Sequence, residues 1–150
     1  MAADIRTELV ALLPRLRRFA YGLTGSMDEG DDVVQSACER ALTRLDQFRV
    51  GTRLDSWMYR IVQTVWIDRL RSRKVRNEQG MDPGALESLA TGDAEREMTA
   101  RLELTKVRRQ VALLPEEQRA VLLLTAVEGL SYKETAETLN LPMGTVMRAV

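Results

Sequence analysis

Apolar side chains recur along this chain at intervals of three and four, the spacing that lines one face of a helix. Leu16, Phe19, Ala20 and Leu23 form the first such stripe, and Pro14 is expected only near the first turn of its helix. A second helix is expected from Ser26, whose hydroxyl can cap the first turn while Glu29 reaches back. Its core face is Val33 and Val34, Ala37 and Cys38, Ala41 and Leu42, and Leu45. The stretch FRVGT, Phe48–Thr52, breaks the period and reads as a loop. A long third helix follows, from about Leu54 to Arg76, with Met58, Ile61, Val62 and Val65 as its stripe.

Periodicity then lapses over NEQGMDPGALESLATGDAE, where Gly, Pro and acids predict a linker. Beyond it a helix ends near Leu114, and Pro115 opens the next at its first turn, with Glu116 and Glu117 complementing the dipole. That helix is apolar almost all round (AVLLLTAV), which marks it as the centre of a small core; Gly129 stops it. Ser131 and Glu134 make a capping box for a short helix with Tyr132, Thr135, Ala136 and Leu139 inward. After a turn at Asn140–Pro142 a last helix begins near Met143. The expected fold class is all-α: two small helical domains, 1–78 and 97–150, joined by a flexible linker over 79–96.

Composition narrows the chemistry. The sequence contains no histidine, and its acidic GSMDEGDD stretch is the wrong sign for a phosphate loop. Enzymatic function, metal and cofactor are therefore not expected. Cys38 is the only cysteine, so no intrachain disulfide can form, and a small buried hydrophobe is its expected role. No run of about 18 apolar residues is present and the start lacks signal-peptide order, so the expectation is a soluble, cytoplasmic protein without membrane insertion. The formal net charge is zero, yet residues 1–79 carry 14 basic against 11 acidic side chains and residues 80–150 carry 8 against 11. Arg69, Arg71, Arg73, Lys74 and Arg76 crowd into one stretch of the first half, and a local patch matters more than the total.

Two arrangements point to nucleic acid. Tyr132–Val150 has the spacing of a helix-turn-helix: Ala136 is small where helices would cross, Asn140 tolerates the left-handed conformation, and Leu141 and Val146 dock the second helix. A plain helical hairpin is the alternative. Separately, Arg60, Gln63, Arg71 and Lys74 share the outer face of the third helix, which also carries Trp57, Tyr59 and Trp66. Cations for phosphates beside rings for unstacked bases is how single strands are held; a solvated helix end with core tryptophans is the alternative, and for Trp66 the two are evenly matched.

Together the motifs resemble the extracytoplasmic-function sigma factors. LVALLPRLRRFAYGLTGS, DDVVQSACERAL and FRVGTRLDSWMYRIVQTVWIDRLRSR are similar to their region two, and LPEEQRAVLLLTAVEGLSYKETAETLNLPMGTV to region four. The resemblance implies that Asp32, Gln35, Glu39 and Arg40 face the clamp of the polymerase's largest subunit, with Ser36 standing where the family usually has an acid. It implies a minus-ten site of Phe48, Arg49, Thr52, Trp57, Arg60, Arg71 and Lys74, the loop 48–54 capturing a flipped base. Thr64 replaces a common asparagine, and Asp68 could pair with Arg71. The minus-thirty-five site would be Ser131, Lys133, Gly144, Thr145 and Arg148, although the last helix is short and carries Arg148 as its one base. Expected partners are core RNA polymerase, promoter DNA and an anti-sigma factor. Competing readings are a sigma mimic that sequesters an anti-sigma factor and a simple helix-turn-helix repressor.

Overall fold

A computed structural model describes residues 2–48, 53–78 and 105–150; among them all regular structure is helical, as expected. Helix α1 spans Ala2–Thr24, α2 Met27–Thr43 and α3 Leu54–Glu78, with one 3₁₀ turn at Leu45–Gln47. Residues 105–113 form α4. Helix α5, Glu116–Leu122, runs on through a π-helical turn at Leu123–Val127; α6 is Tyr132–Leu139 and α7 Met143–Ala149. The linker expected over 79–96 lies outside the described residues. No helix among the described residues is long and apolar enough to cross a membrane.

The first three helices pack as a bundle because their stripes match. Leu16, Phe19, Ala20 and Leu23 of α1 meet Val33, Val34, Ala37 and Ala41 of α2 and Met58, Ile61, Val62 and Val65 of α3, all buried. Phe19 and Tyr59 stack edge-on with centroids 5.3 Å apart. Gly30 lets α2 cross α1 closely: a Cβ there would sit 3.2 Å from the Tyr21 backbone nitrogen. Cys38 packs against this core, and burial pushes its thiol pKa up.

Several expectations need correction. Helix α1 continues N-terminally well past Pro14, which sits inside it. Leu9 is buried, and Ile5, Leu12 and Leu13 pack on the core, so burial outweighs the hydrogen bond that proline cannot donate. Ser26 caps α2 by accepting from the Glu29 amide at 3.2 Å, but the Glu29 carboxylate pairs with Arg73 on α3, so only half of the box forms. Leu42 and Tyr132 are exposed, at 42% and 41%, rather than inward.

The largest departure concerns α5. Val121 lies in a small core with Ala136 and Val146, flanked by Leu139, Leu141 and Ala149. Ala120, Leu123 and Leu124, with Leu130, belong instead to the core of the first bundle. The apolar surface of the helix is wide because two of its sides are buried, one within its own domain and one against the other, while Ala126 and Val127 are exposed. Leu123 lies on α1 at Gly22, where a Cβ would be 2.8 Å from its Cδ2.

Candidate nucleic-acid interface

The outer face of α3 is the strongest candidate. Arg60 and Lys74 are exposed and have no carboxylate partner among the described residues. The Arg71 side chain is 77% exposed, with only a loose 3.9 Å approach to Asp68. Gln63 is half-buried, and the Thr64 hydroxyl donates back to the Arg60 carbonyl at 2.9 Å. Uncommitted guanidinium and ammonium groups along one helix face can neutralise phosphates without first breaking an ion pair.

Other cations of the same stretch are committed elsewhere. Arg69 Nη2 donates to Ser36 Oγ at 3.1 Å and to the Asp32 carbonyl at 3.4 Å. Arg73 pairs with Glu29, and its guanidinium carbon lies 5.5 Å from the Trp66 ring centroid. Arg40 donates to Asp68 at 3.4 Å. These contacts stitch α2 to α3. Trp66 itself is 3% exposed and donates to Glu116 at 2.9 Å, so it is a core tryptophan at a domain boundary rather than a free stacking platform.

At the N-terminal end of α3, Phe48 and the half-buried Trp57 pack with ring centroids 5.1 Å apart. Phe48 opens the FRVGT stretch; the rest of the expected loop, residues 49–52 with Arg49 and Thr52, lies outside the described residues. Where the chain leaves that loop, Arg53 forks onto Asp55 (Nε to Oδ1 3.1 Å, Nη2 to Oδ2 2.7 Å), and Arg15 Nη2 reaches Oδ2 at 3.0 Å. The Ser56 amide donates to Oδ1 at 2.7 Å. Burial alone would push the Asp55 carboxyl up, but these donors outweigh it and hold its pKa below the ordinary range.

On α2, Asp32, Gln35 and Glu39 form an exposed stripe, while Arg40 turns partly inward to Asp68. Exposed Leu42 extends the stripe by a further turn, an apolar member that the helical pattern had assigned to the core.

The second motif has the expected geometry. Ser131 and Glu134 form a reciprocal capping box, and Asn140 ends α6 at φ 58°, ψ 49° in the left-handed region. Val146 is fully buried and docks α7 on Ala136 and Val121. Lys133, Gly144 and Arg148 are exposed, Thr145 is half-buried, and the exposed Ser131 spends its oxygen on the Glu134 amide. Met143 and Met147 make much of the remaining exposed face of α7 apolar.

Charge pairings that no spacing in the sequence predicts join the two halves. Glu128 binds Arg18 and Tyr59, and Arg53 also reaches Glu134. Buried Arg119, just ahead of the apolar run 120–127, donates to the Leu23 carbonyl at 3.0 Å. Arg119 directly follows Glu116, Glu117 and Gln118, so nothing in its spacing signals burial.

Residues 9–63 match the family described as the Sigma2 domain of PhyR, and residues 104–150 match Sigma-70, region 4. The chain is 32% identical over 147 residues to the ECF RNA polymerase sigma factor EcfG of Rhodopseudomonas palustris (strain TIE-1), covering 98% of this chain and 79% of that one. It is 29% identical over 140 residues to the ECF RNA polymerase sigma factor SigW of Bacillus subtilis (strain 168), covering 88% and 75%. Among solved structures, the sigma factor RpoE in complex with the anti-sigma factor NepR from Bartonella quintana aligns with a TM-score of 0.82 at 29% identity, over 98% of this chain and 89% of that one. The PhyRSL–NepR complex from Sphingomonas sp. Fr1 gives 0.63 at 30% identity, over 96% and 80%.

Proposed function

The chain belongs to the extracytoplasmic-function (ECF) RNA polymerase sigma factors, which are transcription regulators and not enzymes, and from that premise we propose how its surfaces divide the work. It binds core RNA polymerase, directs it to promoters, helps separate the strands and is held in check by an anti-sigma factor. The observation that carries this reading is the likeness to EcfG, which extends over 98% of the chain and both domains. A cytoplasmic location and domain boundaries at 1–78 and 97–150, with 79–96 between, belong to the same proposal.

The exposed stripe of Asp32, Gln35 and Glu39, with Arg40 beside it and Leu42 added, is the polymerase-facing surface. Phe48, Arg49, Thr52 and Trp57 shape the minus-ten pocket, and Arg60, Arg71 and Lys74 hold the adjoining phosphates. Ser131, Lys133, Gly144, Thr145 and Arg148 address the minus-thirty-five element. The cations of α3 support this assignment, because their side chains are exposed and no carboxylate among the described residues holds them closely.

The match of residues 9–63 to the Sigma2 domain of PhyR favours one second reading, a mimic that sequesters an anti-sigma factor. The RpoE structure aligns more closely than the PhyRSL one, with a TM-score of 0.82 against 0.63, and the retained basic face has no use in a mimic.

The test is direct binding to core polymerase, in competition with a housekeeping sigma factor and without promoter DNA. Saturable, competitive binding is expected; none from folded protein would leave the mimic. The paired change of Arg60 and Arg71 to Ala should cut promoter opening at least tenfold with core affinity nearly unchanged. Equal loss of both activities would overturn the division of labour.

A further inference from the structure

A groove of about 380 Å³ runs between α2 and α3. Buried Val65 forms its floor, and its walls carry four arginines, Arg40, Arg69, Arg73 and Arg76, against two carboxylates, Glu29 and Asp68. At about 100° per residue, Val65, Arg69, Ser72 and Arg76 share one side of α3, while Arg60, Arg71 and Lys74 lie on the opposite side. The groove is therefore separate from the face assigned to promoter phosphates.

Its charges do not cancel. Glu29 is paired with Arg73, and Asp68 with Arg40 at 3.4 Å and more loosely with Arg71 at 3.9 Å. Half-buried Arg69 meets neutral acceptors instead: its Nη2 donates to Ser36 Oγ at 3.1 Å and to the Asp32 carbonyl at 3.4 Å. Arg76 is exposed and has no carboxylate partner among the described residues. Two guanidinium charges are left over, on residues about 10 Å apart along the helix axis. Long flexible stems let both converge over Ser72, which lies between them. Ser36 and Ser72 add hydroxyls to the lining, and a hydroxyl can donate to an anion without cancelling charge.

We propose that this groove binds a phosphate dianion, either free or as the terminal group of a small phosphorylated metabolite. The two surplus guanidiniums match the charge of a phosphate monoester, about −1.5 to −2 near pH 7. Guanidinium–phosphate contacts are charge-assisted and fork onto two oxygens, which gives them direction as well as strength. Glu29 and Asp68 oppose an anion only weakly, since each already faces an arginine. The groove is within the roughly 300–1,000 Å³ of small-molecule sites, so it leaves room for the remainder of an ester. A dianion held at Ser36 would also bring negative charge to the edge of the Asp32, Gln35 and Glu39 stripe. Binding in the groove does not depend on the sigma-factor reading.

The experiment is nuclear magnetic resonance on the full chain, following backbone amide and arginine side-chain N–H signals. Inorganic phosphate and adenosine monophosphate are titrated separately at constant ionic strength. Signals of Arg69, Ser72, Arg73 and Arg76 should move together and saturate with either probe. Adenosine monophosphate binding at least tenfold tighter than phosphate identifies an ester as the ligand; a smaller difference identifies free phosphate. Arg69→Gln combined with Arg76→Gln should weaken binding at least tenfold while circular dichroism shows unchanged helix content. The single change Arg76→Gln, at an exposed position, should weaken it several-fold and carries the test if the double variant does not fold. Arg60→Gln removes the same charge from the opposite face of α3 and should leave phosphate affinity unchanged. Shifts that never saturate, or that spread equally over both faces, would overturn the proposal. So would a folded Arg76→Gln variant that binds as the parent does, or a loss on Arg60→Gln as large as on Arg76→Gln.

Discussion

Trp66 on α3 donates its indole N–H to Oε1 of Glu116, at the start of α5, across 2.9 Å. The same Glu116 accepts from Arg119 Nη1 on its other oxygen at 2.9 Å, so one carboxylate ties the tryptophan of the first domain to the buried arginine of the second. In this arrangement the indole serves the boundary between domains.

Trp66→Phe should keep most of the packing and lose that bond. A charge-assisted hydrogen bond contributes about 1.5–3 kcal/mol, and a loss of that order lowers the thermal midpoint of a chain this size by roughly 3–12 °C. Differential scanning calorimetry would read the shift. Promoter opening per bound polymerase should stay near the parent value; a large drop with the midpoint unmoved would return Trp66 to the strand-binding surface.

Arg119 should be among the most costly residues to replace. Its guanidinium donates to the carbonyls of Val111, Leu23, Ala112 and Leu114 and to the Glu116 carboxylate, at 2.6–3.1 Å. Arg119→Met would leave that set unpaired in a mostly buried place, at a cost of about 3–5 kcal/mol by urea denaturation. Arg119→Lys should recover only part of it, because three donors on one nitrogen cannot reproduce a planar fork. Parent-like stability in the Met variant would show that the network adds nothing to the fold.

Asp55 should make stability fall on the acid side. Its folded pKa lies below the ordinary carboxylate value because Arg53, Arg15 and the Ser56 amide outweigh the effect of burial. A depressed folded pKa gives stability that is present above the unfolded pKa, about 3.9, and is lost as pH falls toward and through the folded one. Asp55→Asn should therefore be less stable than the parent at neutral pH, with the gap narrowing below about pH 4. Parallel curves for the two proteins from pH 6 to 2.5 would rule the linkage out.

Most helices and several of their ends are legible because their signals are local; the start of α1 and the Glu29 half of the Ser26 box are not. Stripes at three- and four-residue spacing fix which face is buried, as Met58, Ile61, Val62 and Val65 do on α3. Ser131 and Glu134 cap each other within one turn, and Asn140 adopts the left-handed conformation its side chain tolerates. The outward face of Arg60, Arg71 and Lys74 followed from the same period.

What those faces meet depends on contacts between residues far apart in the chain. Arg18 and Glu128 lie 110 residues apart, and no spacing rule connects them. Whether Trp66 stacks on a base or closes a domain boundary depends on where Glu116 arrives, not on the residues beside it. Arg69 and Arg73 became stitches between helices while Arg71 stayed exposed, because rotation about α3 aims the first two at α2. Local signals suffice for the helical stripes, the Ser131/Glu134 cap and the turn at Asn140, since those energies are settled within a few residues. Pairing across the chain sets the rest, because it depends on which complementary surfaces the whole fold brings within contact distance.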